Sequence, residues 1–222
     1  MIRVLIVDDQ RLIRAAVGEL LRAEPDLEVV GEAGDGAAAI EATRRLSPDV
    51  VLMDIRMPVL DGIAATRAIC ADATLASTRV LILTTFEEDE NLVASLRAGA
   101  SGFIGKGAEP EEIAKAVRAV HLGDALLSPT ATRLLIDRYL DVRFDGLGDA
   151  DKTLLESLTG RERETLALVG RGMSNEEIAG ELQISPHTAK THVNRVMAKL
   201  DAHDRAQLVI WAYEGGIVPR RG

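Results

Sequence analysis

Cysteine is almost missing from this chain. Cys70 stands alone among 222 residues, so no internal disulfide can form and a reducing, cytoplasmic setting is expected. Aromatic residues make up only 3%, yet apolar residues reach 47%, so the core has to be built from Leu, Val, Ile and Ala. No apolar run approaches the ~18 residues of a membrane span. The chain passes from "RVLIV" into Asp8 too soon for the h-region of a signal peptide. Internal repeats and low-complexity tracts are also lacking. A net charge of −9 argues against nucleic acid if taken alone, but the charge is unevenly spread. Residues 1–122 carry 13 Lys/Arg against 20 Asp/Glu, a net of −7, and residues 123–157 a net of −3. Residues 158–222 carry a net of +1 and hold three of the four His. If the second end binds DNA, its positive charge must lie on one face.

Five apolar runs are present in the first part: "IRVLIV" (2–7), "LEVVGEA" (27–33), "DVVLMD" (49–54), "RVLILTT" (79–85) and "SGFIG" (101–105). Between them apolar residues recur at helical spacing, as in Leu12, Ala15, Ala16, Leu20 and in Ile113, Ala116, Val117, Val120. Strands alternating with helices predict an α/β domain with a parallel sheet over residues 1–122. Runs that are continuous rather than alternating predict a sheet covered on both faces. Residues 123–157 break the rhythm. They read as a linker with one helix starting near Ser128-Pro129, followed by the aperiodic "DVRFDGLGDADK". Residues 158–222 show four short helical patterns and no strand, which predicts a second, all-α domain.

The charged residues fall at strand ends. Asp8 and Asp9 follow "VLIV", Asp54 follows "VVLM", Thr84 follows "VLIL" and Lys106 follows "GFIG". The carboxyl edge of a parallel sheet is where ligands bind, so these residues are expected to converge on one cleft. Three carboxylates in a small space repel one another, and a divalent cation resolves that repulsion. Hard oxygen donors with few protein ligands suit Mg²⁺. One carboxylate can then attack a phosphoryl group, a reaction that needs mainly positioning and charge neutralisation. Asp54 is the expected nucleophile and the Asp8-Asp9 pair the expected metal ligands. Lys106 would neutralise a phosphoryl oxygen as a point charge, and Thr84 would donate its hydroxyl to another. For any one of these residues a plain turn or cap is the commoner role, and Asp61-Gly62 reads as such a helix start. The coincidence on successive strand ends favours the site. "GASGFIGKG" imitates a P-loop, but Ala100 stands where that spacing needs Gly, and Gly107 where it needs Ser or Thr.

On "VLIVDDQ", "VVLMDIRMPVLDG", "VLILTTF" and "AGASGFIGK", residues 1–122 resemble a response-regulator receiver domain of two-component signalling. The resemblance implies a flavodoxin-like, five-stranded parallel sheet in the order 2-1-3-4-5. It implies phosphorylation of Asp54 by a partner sensor histidine kinase. It also implies Mg²⁺ bound by Asp9, Asp54 and the backbone carbonyl of Arg56, with Asp8 acting largely through water. Thr84 and Phe103 would reposition when Asp54 is phosphorylated. The residue after the lysine is often Pro or Asp in the family and is Gly107 here.

In the second domain, Ser174 with Glu177 three positions on forms a capping-box pattern, and Ser185-Pro186 is a second helix start. The short link "LQIS" between these helices predicts a helix-turn-helix. At about 100° per residue, His187, Lys190, Thr191, Asn194 and Ala198 share one outward stripe. Ala189, Val193, Val196 and Leu200 share the inward one, and Thr188, His192, Arg195 and Lys199 flank the outward stripe. No acidic residue occurs from 185 to 200. Such a helix suits the major groove, with central groups on base edges and flanking groups on phosphates, although an ordinary solvated face has the same look.

Residues 158–217 are similar to the four-helix DNA-binding domain of LuxR type found in NarL/FixJ regulators, across "LTGRERETLALVGRGMSNEEIAGELQISPHTAKTHVNRVMAKLDAHDRAQLVIWAYEGGI". By this resemblance Lys190, Thr191 and Asn194 read bases, with His187 on the same stripe. Thr188, Arg195 and Lys199 hold phosphates, and "RAQLVIWAYEGG" pairs subunits. The expected protein is a DNA-binding transcriptional regulator switched by phosphorylation of Asp54. Its expected partners are a sensor histidine kinase, promoter DNA and a second copy of itself, with RNA polymerase as a further one and no membrane. It is expected to be a regulatory phosphoacceptor that catalyses only its own phosphotransfer and dephosphorylation. Two alternatives stand beside this reading. An aspartate-based phosphotransferase lacks a second Asp two residues after Asp54, where Arg56 sits. A DNA-binding protein indifferent to phosphate leaves the acidic set unexplained.

Overall fold

The computed structural model describes residues 1–84, 94–123 and 149–218. The chain divides into two compact units, Met1–Leu126 and Leu127–Gly222.

In the first unit, β1 (Ile2–Val7), β2 (Leu27–Ala33), β3 (Val50–Asp54), β4 (Arg79–Thr84) and β5 (Gly102–Gly105) form one sheet in the order β2-β1-β3-β4-β5. Every pairing is parallel. The expected topology is therefore the observed one. Four helices accompany the strands: α1 (Arg11–Arg22), α2 (Gly36–Leu46), α3 (Gly62–Cys70) and α4 (Pro110–His121), and residues 94–97 are also helical. Val4, Ile6, Leu52, Leu81 and Leu83 pack with Val17 and Leu21 of α1 and with Ile113, Val117 and Val120 of α4. The alternate residues Leu5, Val51, Met53 and Ile82 are equally buried, and α2 and α3 lie against this sheet as well. Both faces are thus covered, which is why the central strands β3 and β4 read as near-continuous apolar runs, whereas the edge strand β2 carries Glu28 and Glu32 exposed.

Local chemistry sets the helix starts. Asp35 and Asp61 cap α2 and α3, their carboxylates accepting from the N–H groups of Ala38 and Ala64 at 2.8 and 2.7 Å. Ser47 ends α2 in the left-handed region.

The second unit contains α5 (Asp149–Glu156), α6 (Gly160–Gly170), α7 (Asn175–Leu182), α8 (Pro186–Lys199) and α9 (Arg205–Glu214). Helix α5 falls within the segment whose composition suggested an aperiodic linker. Its order comes from tertiary contact. Leu155 is buried, and Arg163 donates to the Leu155 carbonyl at 2.9 Å, so these two turns are tied to α6 by contacts that leave no period to read. The helix expected near Ser128-Pro129 lies outside the described residues. The capping box at Ser174 and Glu177 and the Ser185-Pro186 start of α8 are both present. Among the described residues, no helix is long and apolar enough to cross a membrane.

Candidate functional site

Strand register brings the acidic residues together. Val7 pairs with Met53, so Asp8 emerges level with Asp54. Asp54 pairs with Leu83, and Thr84 pairs with Gly105 immediately before Lys106. Carboxylate oxygens of Asp8, Asp9 and Asp54 lie within 4.8 Å of one another. Asp8 is fully buried, Asp54 is 5% exposed, and Asp9 faces solvent. Lys106 Nζ stands 2.7 Å from Asp8 Oδ2 and 3.0 Å from Asp54 Oδ2, so it ties the ends of β1, β3 and β5 together. Backbone groups hold the remaining oxygens. Asp8 Oδ1 accepts from the Gln10 N–H and Asp54 Oδ1 from the Ile55 N–H, at 2.8 and 2.9 Å.

Burial pushes the Asp54 carboxyl above its ordinary range, with Lys106 opposing and the Asp8 charge adding to the rise. Burial works against the Lys106 charge too, but the two carboxylates outweigh it and hold the ammonium above its usual value. Thr84 is buried at the end of β4, and its carbonyl accepts from the Lys106 N–H at 2.6 Å. Phe103 is buried in β5. Beside the cluster a cleft of about 550 Å³ is lined by Asp9, Arg56, Met57, Pro58 and Asp61, among others. Arg56 therefore borders the acidic group, as its place in the sequence suggests. A Cβ on Gly107 would meet nothing within 4 Å, so the packing of this loop does not require glycine.

In the second unit, α7 and α8 are joined through Gln183, which adopts the left-handed conformation (φ 54°) and turns the chain within three residues. Ala189, Val193 and Val196 of α8 are buried, while His187, Lys190, Asn194 and Arg195 are exposed. Thr191 is half-buried, and its hydroxyl donates to the His187 carbonyl at 3.0 Å. The Thr188 hydroxyl lies 2.8 Å from that of the cap residue Ser185.

Lys199 is already engaged. Its Nζ lies 2.7 Å from Glu162 Oε2, joining the end of α8 to the first turn of α6. The same oxygen accepts from the Thr159 N–H and hydroxyl, both at 2.8 Å, completing a capping box. Lys199, with help from Thr159, holds the Glu162 carboxyl down to about 2.

Two family models match this chain: the response regulator receiver domain over residues 4–118, and the luxR family of bacterial regulatory proteins over residues 156–212. The transcriptional regulatory protein LiaR of Bacillus subtilis is 38% identical over 218 residues, spanning 98% of this chain and all of that protein. The chain belongs to the response regulators. Its architecture is a receiver domain followed by a luxR-type DNA-binding domain, and its relatives are transcriptional regulators. Among solved structures, the response regulator ChrA of a heme-sensing two-component system matches with a TM-score of 0.52 and 33% identity over 98% of both chains. The RcsB response regulator of Salmonella typhimurium matches with a TM-score of 0.55 and 26% identity over 96% of this chain and 98% of that one.

One residue that positions the receiver site escaped the sequence reading. Gly62 looks like an ordinary helix start after a capping Asp. In the fold, a Cβ at Gly62 would stand 1.9 Å from the Asp54 carbonyl oxygen, and the Gly62 N–H donates to the Ile55 carbonyl at 2.9 Å. The start of α3 is pressed directly against the backbone that carries Asp54. In the sequence Gly62 is simply eight residues after Asp54, a spacing that carries no geometry by itself.

Proposed function

We propose that Asp54 is the phosphoacceptor of this regulator, and that its phosphorylation by a histidine kinase raises the affinity of the luxR-type domain for double-stranded DNA. The observation carrying this reading is the buried Asp8, Asp54 and Lys106 group with Asp9 at its rim. Two carboxylates face one lysine, and a third carboxylate lies beside them.

Lys106 keeps the Asp54 carboxylate charged and fixed. The free electron pair of that carboxylate attacks the donor phosphorus, an acyl phosphate forms, and the donor's leaving group departs with the electrons of the broken bond. Asp8, Asp9 and Asp54 offer hard oxygen donors that would hold Mg²⁺, with the Arg56 carbonyl as a further one, and the bound ion would supply charge neutralisation for phosphoryl transfer. Lys106 is freed to meet a phosphoryl oxygen as a point charge. Thr84 on β4, which pairs with β3, and Phe103 on β5, the strand beyond it, are the residues that carry the change away from the site, a biased two-state element. In the second domain, Lys190, Thr191, Asn194 and His187 face base edges, and Thr188 and Arg195 face phosphates. Lys199 shares its charge with Glu162 and contributes less to the phosphate set than its place on the helix suggests. Pairing of two copies matches two half-sites on the DNA.

The test uses a DNA fragment selected by the protein from a random pool. With Mg²⁺ and acetyl phosphate, wild-type affinity at fixed salt should rise by about tenfold, within the usual range of allosteric coupling. Asp54→Asn should show the same affinity before and after treatment. An equal rise in Asp54→Asn, or none in wild type, contradicts the proposal.

A further inference from the structure

Helix α1 sends one side chain back to the loop that carries the acidic pair. Arg14 Nη1 donates to the carbonyl of Asp8 at 2.6 Å and reaches that of Asp9 at 3.3 Å. Its Nε lies 3.5 Å from Glu32 Oε2 on β2, and only 17% of the side chain is exposed. Gly34 leaves ordinary van der Waals space beside the guanidinium, since a Cβ there would stand 3.7 Å from Nη1.

We infer that Arg14 is a positioning residue of the acidic cleft, fixing the Asp8-Asp9 backbone so that both carboxylates are set for a divalent cation. The inference rests on reading Asp8, Asp9 and Asp54 as a cation site.

Two N–H groups of one nitrogen reach two successive carbonyls, those of the 8–9 and 9–10 peptides, which fixes the two planes that flank Asp9 and hence the direction in which its side chain leaves the loop. A guanidinium suits this role, because Nη1 carries two N–H groups for the loop while Nε faces the Glu32 carboxylate at 3.5 Å in a charge contact without a hydrogen bond. The clamp counters a specific force. Three carboxylates within 4.8 Å repel one another, and the exposed Asp9 is the one free to swing outward. Lys106 opposes that repulsion from inside the cleft, and Arg14 opposes it from the backbone side. A lysine at position 14 keeps the charge but gives up the fork and the contact with Glu32. Groups that orient metal ligands typically contribute ten- to a hundred-fold to affinity.

The experiment is a Mn²⁺ titration of the full chain, with the free ion followed by electron paramagnetic resonance and no phosphodonor present. Arg14→Met should weaken Mn²⁺ binding about tenfold, and Arg14→Lys should fall between Arg14→Met and wild type. Asp9→Asn reports on the site itself and should bind more weakly than wild type. If Asp9→Asn weakens binding but both Arg14 variants bind as wild type, the Arg14 inference is overturned and the cation reading stands. If wild type and Asp9→Asn are indistinguishable, the cation reading fails and the inference falls with it. Should Arg14→Met not fold, Arg14→Lys decides alone: weaker binding supports the clamp, and wild-type binding overturns it.

Discussion

Gly62→Ala is expected to destabilise the receiver domain by about 3 kcal/mol, at the upper end for one inserted methyl group. The new Cβ would lie 1.9 Å from the Asp54 carbonyl oxygen and 3.1 Å from the Ile55 Cα. Both are backbone atoms, so no rotamer change relieves the overlap. Either α3 retreats from β3 or the Asp54 peptide shifts. Retreat breaks the bond from the Gly62 N–H to the Ile55 carbonyl. A shifted peptide moves the Asp54 carboxylate off Lys106, which holds it at 3.0 Å. The glycine is thus demanded by space and not by an unusual backbone angle. Urea denaturation followed through the receiver transition measures the loss, and phosphoryl uptake should fall in the same variant. A midpoint and an uptake equal to wild type would show that the helix start does not brace the site.

Lys106→Met should be comparably damaging, with a dependence on pH that Gly62→Ala lacks. Removing the lysine leaves Asp8 and Asp54 facing each other in a buried site, a loss of about 3–5 kcal/mol for a broken buried ion pair. Burial already raises the Asp54 carboxyl, and Lys106 is the main force lowering it. Without the lysine it rises further. A carboxyl raised in the folded state binds its proton more tightly there than in the unfolded chain. Its stabilising contribution is therefore complete below the unfolded value of about 3.9 and is lost as pH climbs through the folded value. The deficit of Lys106→Met relative to wild type should be largest at neutral pH and shrink as the solution is acidified. Denaturation midpoints at several pH values measure this. A deficit independent of pH would mean that Lys106 stabilises by packing alone.

The central strands were readable because β3 and β4 and most of β1 are buried on both faces, and so write themselves as apolar runs ending at the functional edge, whereas the strand order came from the receiver resemblance. Asp8, Asp54 and Lys106 were legible from their coincidence on successive strand ends, since a parallel sheet brings those ends to one edge. Other features depend on contacts between residues far apart in sequence. Lys199 reads as a cation on a DNA-facing helix until its partner Glu162, 37 positions earlier, is placed beside it. Gly62 reads as a turn residue until α3 is docked on β3. Helix α5 has one buried leucine and no repeat, so its order follows from what Leu155 meets and not from any period.

The central claim is that the carboxylate ending β3 accepts the phosphoryl group. Borohydride reduces an acyl phosphate to an alcohol, so the acceptor aspartate becomes homoserine and can be located by peptide mass spectrometry. After incubation with Mg²⁺ and acetyl phosphate, the peptide containing Asp54 should carry the homoserine, and the peptide containing Asp8 and Asp9 should not. Conversion at Asp8 or Asp9, or none anywhere in the chain, would contradict the account.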